Sequence, residues 1–347
     1  MYNDHGQIEF YSLARKLFYL FSAFLLLIIA LSSTVLLLRS NPELFTTATT
    51  SAENWNPKNI EEYEGTVSDQ IKEGYFLISQ SPDAMGPTAK NIKHRFTGNN
   101  LTCTNCHLDR GTRIGAAPWV GITERFPQFD GRSNKQGSLE SRINGCMERS
   151  MNGKKLADDS RQMKAMIAYM GWLSEDIPEI RKKDFEGFAK LQIPDTAVDL
   201  NKGALLYTQQ CAVCHGANGQ GQRLPNQSGR YQYPPVWGSD SYNNGAGMHR
   251  VLTAAQFIKG NMPFGIATAA NPVLTDEEAF NLAGYINSFD RPTISNPQLD
   301  YPNKKLKPVS TPYGPWADTF PPIQHKYGPF PPIVAYYRDR YKISKTK

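Results

Sequence analysis

The sequence of 347 residues predicts a mainly α chain. Two small helical domains stand in tandem, behind an apolar N-terminal helix and ahead of an extended proline-rich tail. Three observations carry this. Leu17 to Leu38 run for 22 residues without a charge. Four of the five cysteines fall in two identical frames, Cys103-Thr-Asn-Cys106-His107 and Cys211-Ala-Val-Cys214-His215. Each frame is followed by an amphipathic stretch with a capping signal at its start.

The composition bounds the rest. A hydrophobic fraction of 40% and a charged fraction of 20% fit a folded chain and exclude bulk disorder. Five cysteines are too few for a disulfide scaffold, and Cys146 is left over. The net charge of +6 is too diffuse to point to nucleic acid.

Taken in order, residues 1–16 are predicted to be a cytoplasmic N-terminus and 17–38 a membrane-spanning helix. Twenty-two residues at 1.5 Å each give roughly 33 Å, about one bilayer core. A cleaved signal has a shorter apolar core and a small-residue site. The best site here, Thr50-Ser51-Ala52, is poor, so an anchor is favoured over a signal. Residues 39–57 are polar and read as a tether.

C-x-x-C-H is an attachment frame for c-type haem. Two thiols one turn apart add to the haem vinyl groups, and the adjacent histidine meets the iron. A four-cysteine zinc site shared by both frames is the competing reading. It leaves the histidine after each second cysteine without a reason. Two covalent haems c are therefore expected, on Cys103 and Cys106 and on Cys211 and Cys214, with His107 and His215 as proximal ligands. Covalent attachment takes place outside the cytoplasm. This orients the chain: N-terminus inside, everything after Leu38 in the periplasm, held to the inner membrane, or secreted there if cleaved.

Both halves fit the plan of a class I-like cytochrome c domain: leading helix, frame, loop, distal ligand, closing helix. The first domain spans 58–195 and the second 196–290. The leading helices are expected at Ile60 to Gln80 and at Asp199 to Gln210. The closing helices are expected at Ser160–Leu173 and Asp276–Phe289, opened by capping boxes Asp159/Gln162 and Thr275/Glu278. Aligning Tyr169 with Tyr285 places Cys146 where the second half has Met262, in Asn-Met-Pro-Phe-Gly. Met262 is the expected distal ligand of the second haem, with Met248 as competitor. His94, His249 and His325 are remote alternatives.

By the same alignment Cys146 is the expected distal ligand of the first haem. Its surroundings are basic: residues 132–155 hold Arg132, Lys135, Arg142, Arg149, Lys154 and Lys155 against Glu140 and Glu148. Cations favour a thiolate and suit an anionic substrate. Arg142 and Ser150 lie four residues either side of Cys146 and share its face if the segment is helical through Gly145. Thiolate ligation lowers a haem potential and methionine ligation raises it, so the two haems would differ.

The tail, 291–347, combines eleven prolines with Trp316, Phe320, Tyr327, Phe330, Tyr336 and Tyr337. It is expected to be extended, without regular structure, and wrapped over the two domains. Lys342 to Lys347 are expected to fray.

These motifs together resemble the dihaem thiosulfate dehydrogenase / tetrathionate reductase family over roughly residues 60–335. The resemblance rests on CTNCH, DGRS at Arg132, RINGCMERSMNG at Cys146, CAVCH and NMPFG. It implies His107/Cys146 ligation at the substrate haem and His215/Met262 at the second. It also implies that Arg132, Arg142 and Ser150 join Cys146 in the active site. Some relatives carry lysine where this chain has Asn261. The implied reaction couples two thiosulfates to tetrathionate with release of two electrons, or the reverse. In it, the Cys146 sulfur leaves iron and forms an S-thiosulfonate adduct, and electrons pass on to a periplasmic or membrane partner, another cytochrome c. Two alternatives are a SoxA-like cytochrome that loads thiosulfate onto a carrier protein and a non-enzymatic membrane-anchored dihaem electron carrier.

Overall fold

The structure, a computed structural model, describes residues 4–40, 55–225 and 229–345. It divides into two units, Met1–Asn56 and Pro57–Lys347.

In the first unit, helix α1 spans Asp4–Ser40 and is long and apolar enough over Phe10–Leu37 to cross a membrane. It outruns the predicted 17–38 at both ends because no glycine or proline stops it between those limits beyond Gly6. Its hydroxyls bond back to the helix, Ser22 to the Phe18 carbonyl at 2.8 Å and Thr34 to that of Ala30 at 2.7 Å. These two hydroxyls are thus satisfied within the helix, as hydrocarbon requires. Most of the expected tether, including Thr50-Ser51-Ala52, lies outside the described residues.

In the second unit, α2 spans Asp69–Ser79, shorter than the expected Ile60–Gln80. Gly65, Thr66 and Val67 disfavour helix, and Ser68 caps the start by accepting from the Ile71 amide. Helix α3 spans Leu139–Arg149 and α4 spans Arg161–Trp172. The cap of α4 is Ser160, whose hydroxyl accepts from the Met163 amide at 3.2 Å, not Asp159. Register decides this: Ser160 stands three residues before that amide.

In the second half, α5 spans Leu200–Leu206, capped by Asp199, and widens into a π turn over Tyr207–Cys211. The expected single helix to Gln210 is therefore two pieces. Helix α6 spans Val251–Asn261, and α7 spans Asp276–Ile286 with the predicted Thr275/Glu278 box formed in both directions. It stops three residues short of the expected Phe289.

The repeat is visible in the packing. Helix α2 crosses α4 at Gly74, where a Cβ would lie 2.0 Å from the Ala165 carbonyl oxygen. Helix α5 crosses α7 at Gly203, where a Cβ would lie 2.3 Å from the Asn281 oxygen. The offset is the one that aligns the tyrosines: 281 − 165 = 285 − 169. Only glycine admits backbones this close. Beside each crossing a tyrosine meets a tryptophan edge-on, Tyr169 with Trp119 and Tyr285 with Trp237.

The tail is not the structureless wrap expected. It ends in α8, Pro322–Tyr327, and α9, Pro331–Tyr341. The prolines stand in the first turn of each helix, where a missing N–H costs nothing. Phe330, Ile333 and Tyr337 are fully buried in the second domain's core with Leu252, Phe280 and Leu282. The end is not frayed as far as Lys345, whose ammonium bonds the Lys307 carbonyl at 2.5 Å.

Candidate active site

Each domain encloses a cavity lined by its own C-x-x-C-H frame. The first, of about 660 Å³, is walled by Cys103, Cys106, His107, Trp119, Cys146 and Ser150 among others. The second, of about 440 Å³, is walled by Cys211, Cys214, His215, Met248 and Met262. Leu101 and Cys106 line both cavities, so the two share a wall.

The histidines are held alike. His107 Nδ1 bonds the Ala117 carbonyl at 2.7 Å and His215 Nδ1 that of Pro234 at 2.8 Å. A carbonyl can only accept, so Nδ1 carries the proton and Nε2 presents a lone pair. Trp119 lies tilted on the His107 ring, centroids 4.8 Å apart.

Cys146 comes from α3. Ser138 caps that helix, and Leu139, Ile143 and Met147 recur on one side of it. The helix runs unbroken through Gly145, where a side chain would meet open space. Arg142, Cys146 and Ser150 therefore form one stripe at i, i+4 and i+8, and all three line the cavity. The Arg142 Nη1 donates to Cys146 Sγ at 3.2 Å. The His107 ring faces the same sulfur. Burial pushes this thiol up, but the Arg142 cation at its sulfur outweighs it, and the pKa comes down to about 6. In the same cavity burial pushes Cys103 up to about 11 and Cys106 up to about 12. One of three thiols in this cavity is poised as a thiolate.

Met262 differs in setting from Cys146 despite the alignment. It sits just past α6, where Pro263 forbids further helix, whereas α3 continues for a turn beyond Cys146. Met248 lines the same cavity as Met262.

Arg132 does not line the Cys146 cavity. Its Nη1 pairs with Asp300 Oδ2 at 2.5 Å and bonds the Gly245 carbonyl at 3.2 Å, and its guanidinium lies over the Tyr301 ring. Arg149 takes the other oxygen of Asp300 at 2.8 Å. The local basic excess is thus partly neutralised from the tail, by a residue far away in sequence. Arg125 was missed: it lines the Cys146 cavity, steadied by the Phe185 and Pro118 carbonyls at 2.8 and 3.1 Å. It stands outside the 132–155 window, and nothing in its local sequence marks it.

The remote histidines are accounted for. His325 is fully buried between the Val309 carbonyl and Asp318, both ring nitrogens used, stacked on Trp316. His249 bonds the Asn244 carbonyl at 3.0 Å, and His94 lies on the surface beside Asn91. None of the three lines either cavity. Among the described residues no three His, Cys, Asp or Glu side chains cluster as a metal site, and each cysteine pair lines its own domain's cavity.

Comparison with known proteins finds two family models on the same two domains. One is described as SoxA/TsdA, cytochrome c domain, and matches residues 92–178; the other, cytochrome c, matches 200–290. The thiosulfate dehydrogenase of Allochromatium vinosum is 39% identical over 241 residues, 68% of this chain and 84% of the relative. The chain belongs to the thiosulfate dehydrogenase family. The enzyme of Psychrobacter arcticus is 43% identical over 208 residues, 59% of this chain and 61% of that relative. The one from Stutzerimonas stutzeri is 41% identical over 218 residues, 63% of this chain and 69% of the relative. Against the first of these two, the match spans less than two thirds of the relative's length. Among solved structures, thiosulfate dehydrogenase (TsdBA) from Marichromatium purpuratum in its as-isolated form superposes with a TM-score of 0.61 at 32% identity. That match covers 71% of this chain and 51% of the other.

Two cytochrome c domains imply haem c, and the residues present fit it. Each cavity offers a cysteine pair, a histidine with Nε2 free, and a sulfur donor: Cys146 in the first, Met262 or Met248 in the second. The second cavity is almost wholly apolar, while Gln128, Arg125, Arg142, Ser150 and Glu186 make the first partly polar. The extra room and polarity of the first cavity suit a second, anionic ligand there.

Proposed function

We propose that the protein interconverts thiosulfate and tetrathionate in the Cys146 cavity, with one covalently bound haem c in each domain. The observation that carries this is the Arg142–Cys146 contact inside a partly polar cavity. It offers a cationic, thiolate-bearing site to a sulfur dianion. Cys103 and Cys106, and Cys211 and Cys214, would hold the two haems, with His107 and Cys146, and His215 and Met262, as the side chains that would meet the iron. Bound haem supplies acceptance of one electron in each domain.

The protein's own groups supply the sulfur chemistry. Arg142 grips the sulfonate oxygens and keeps Cys146 ionised, with the Ser150 hydroxyl one turn further along the same stripe. The Cys146 thiolate and one thiosulfate join through a new S–S bond, giving up two electrons. The sulfane sulfur of a second thiosulfate attacks the adduct sulfur bonded to Cys146 Sγ, forms tetrathionate and releases the Cys146 thiolate. Charge balances: −3 before and −3 after the second step. Arg132 acts through Asp300, fixing the tail against the first domain, rather than on the substrate. The shared wall at Leu101 and Cys106 gives a short route between the two haem sites, and the second domain passes electrons to a partner, which we take to be another cytochrome c.

Helix α1 would anchor the chain in the inner membrane with the two domains in the periplasm. The purified protein with thiosulfate and ferricyanide alone is expected to form tetrathionate. No tetrathionate would leave the carrier-loading or pure electron-carrier readings.

A further inference from the structure

We propose that Arg250, which shares Tyr301 with Arg132, is an oxyanion-binding residue contributed by the second domain at the junction of the two domains. Arg250 immediately precedes α6. Its Nη1 donates to the Tyr301 hydroxyl at 3.2 Å, and its Nε–H is buried with no acceptor. Among the described residues no carboxylate lies within ion-pair distance of it. The nearby carboxylate, Asp300, is already taken by Arg132 at 2.5 Å, Arg149 at 2.8 Å and the Tyr313 hydroxyl at 2.7 Å.

Burial disfavours the charge of Arg250, and the neighbouring Arg132 and Arg142 add to this against the pull of Tyr301 and Tyr313. A guanidinium does not escape by losing its proton. The Nε of Arg149 is also buried without an acceptor. Donors left unmade in a low-dielectric junction are costly, and the remedy is an acceptor with negative charge. What the junction lacks is therefore an oxyanion with at least two oxygens, suited to a guanidinium fork.

Two sources offer that chemistry: the sulfonate end of thiosulfate or tetrathionate, and a propionate carboxylate of a haem. The first rests on the function proposed above; the second needs only the haem sites.

The holoprotein variants R250Q and R250K separate them, with haem content and melting temperature as controls. If the sulfonate is the ligand, R250Q raises the thiosulfate KM about tenfold or more, the loss of one charge-assisted hydrogen bond, with kcat and both midpoint potentials little changed. If a propionate is the ligand, R250Q lowers the midpoint potential of one haem, because a compensating cation is gone, and leaves KM unchanged. R250K keeps the charge and loses the Nε–H, so it shows the same change to a smaller degree. It carries the test if R250Q fails to load both haems. Unchanged KM and unchanged potentials in the variants, or a loss of kcat that follows only a fall in melting temperature, would overturn the proposal. Wild-type protein that oxidises no thiosulfate would sink the functional reading alone, and the potentials would still test Arg250.

Discussion

The thiols of the first cavity share one chemistry and differ by their neighbours. Burial pushes Cys103 and Cys106 up, Cys103 despite the Ser81 hydroxyl 3.7 Å from its sulfur. Cys146 is as buried, but Arg142 touches its sulfur and His107 faces it. The thiolate therefore exists above about pH 6 and is lost as pH falls through that value. Activity that depends on it is expected to have an acid limb near pH 6 or below. R142Q removes the cation, so the limb should move upward; the pH profile of thiosulfate oxidation measures this, and an unmoved limb would deny Arg142 this role. Cys146 itself was legible in the sequence because two identical frames account for every other cysteine. The partners of Arg132 and Arg250 were not. Asp300 lies 168 residues from Arg132, and Arg250 lies 104 residues from Cys146, so no local pattern joins them.

At the scale of elements, α3 is the piece that makes the site. Its capped start and its passage through Gly145 set Arg142, Cys146 and Ser150 in one line. An internal glycine costs a helix about 1 kcal/mol, which packing of Leu139, Ile143 and Met147 readily offsets. The closing helices were legible from their caps and spacing; one cap differed, Ser160 in place of Asp159, and the second helix ends at Ile286 rather than Phe289. The tail was misread because proline count masks proline position. Pro322 and Pro331 start helices rather than break them. Phe330, between α8 and α9, is fully buried and meets Phe280 edge-on at 6.0 Å. F330A is expected to destabilise the protein by about 3–5 kcal/mol, read as a shift in denaturant midpoint at unchanged haem content. A change under about 1 kcal/mol would mean the tail is not part of the second domain's core.

For the whole molecule, the two domains repeat one another down to the glycine at each helix crossing and the carbonyl behind each histidine. The tail and the second domain supply what the first lacks. Asp300 and Tyr313 hold Arg132, and Asn261 of the second domain, fully buried, donates to the Gly115 carbonyl of the first at 3.0 Å. Asn261 also accepts from Arg113, so its amide is committed to joining the domains. The repeat was readable from two short frames; the joining was not, because it is made by contacts more than a hundred residues apart.

The central claim is that the leftover thiol, Cys146, is where sulfur chemistry occurs, while the haem of the second domain conveys electrons. The most direct test is the thiosulfate–ferricyanide assay on C146G holoprotein carrying two haems per chain. Tetrathionate formation is expected to fall to background while the haem of the second domain keeps its spectrum and potential. Tetrathionate formed at near the wild-type rate by that variant would contradict the claim.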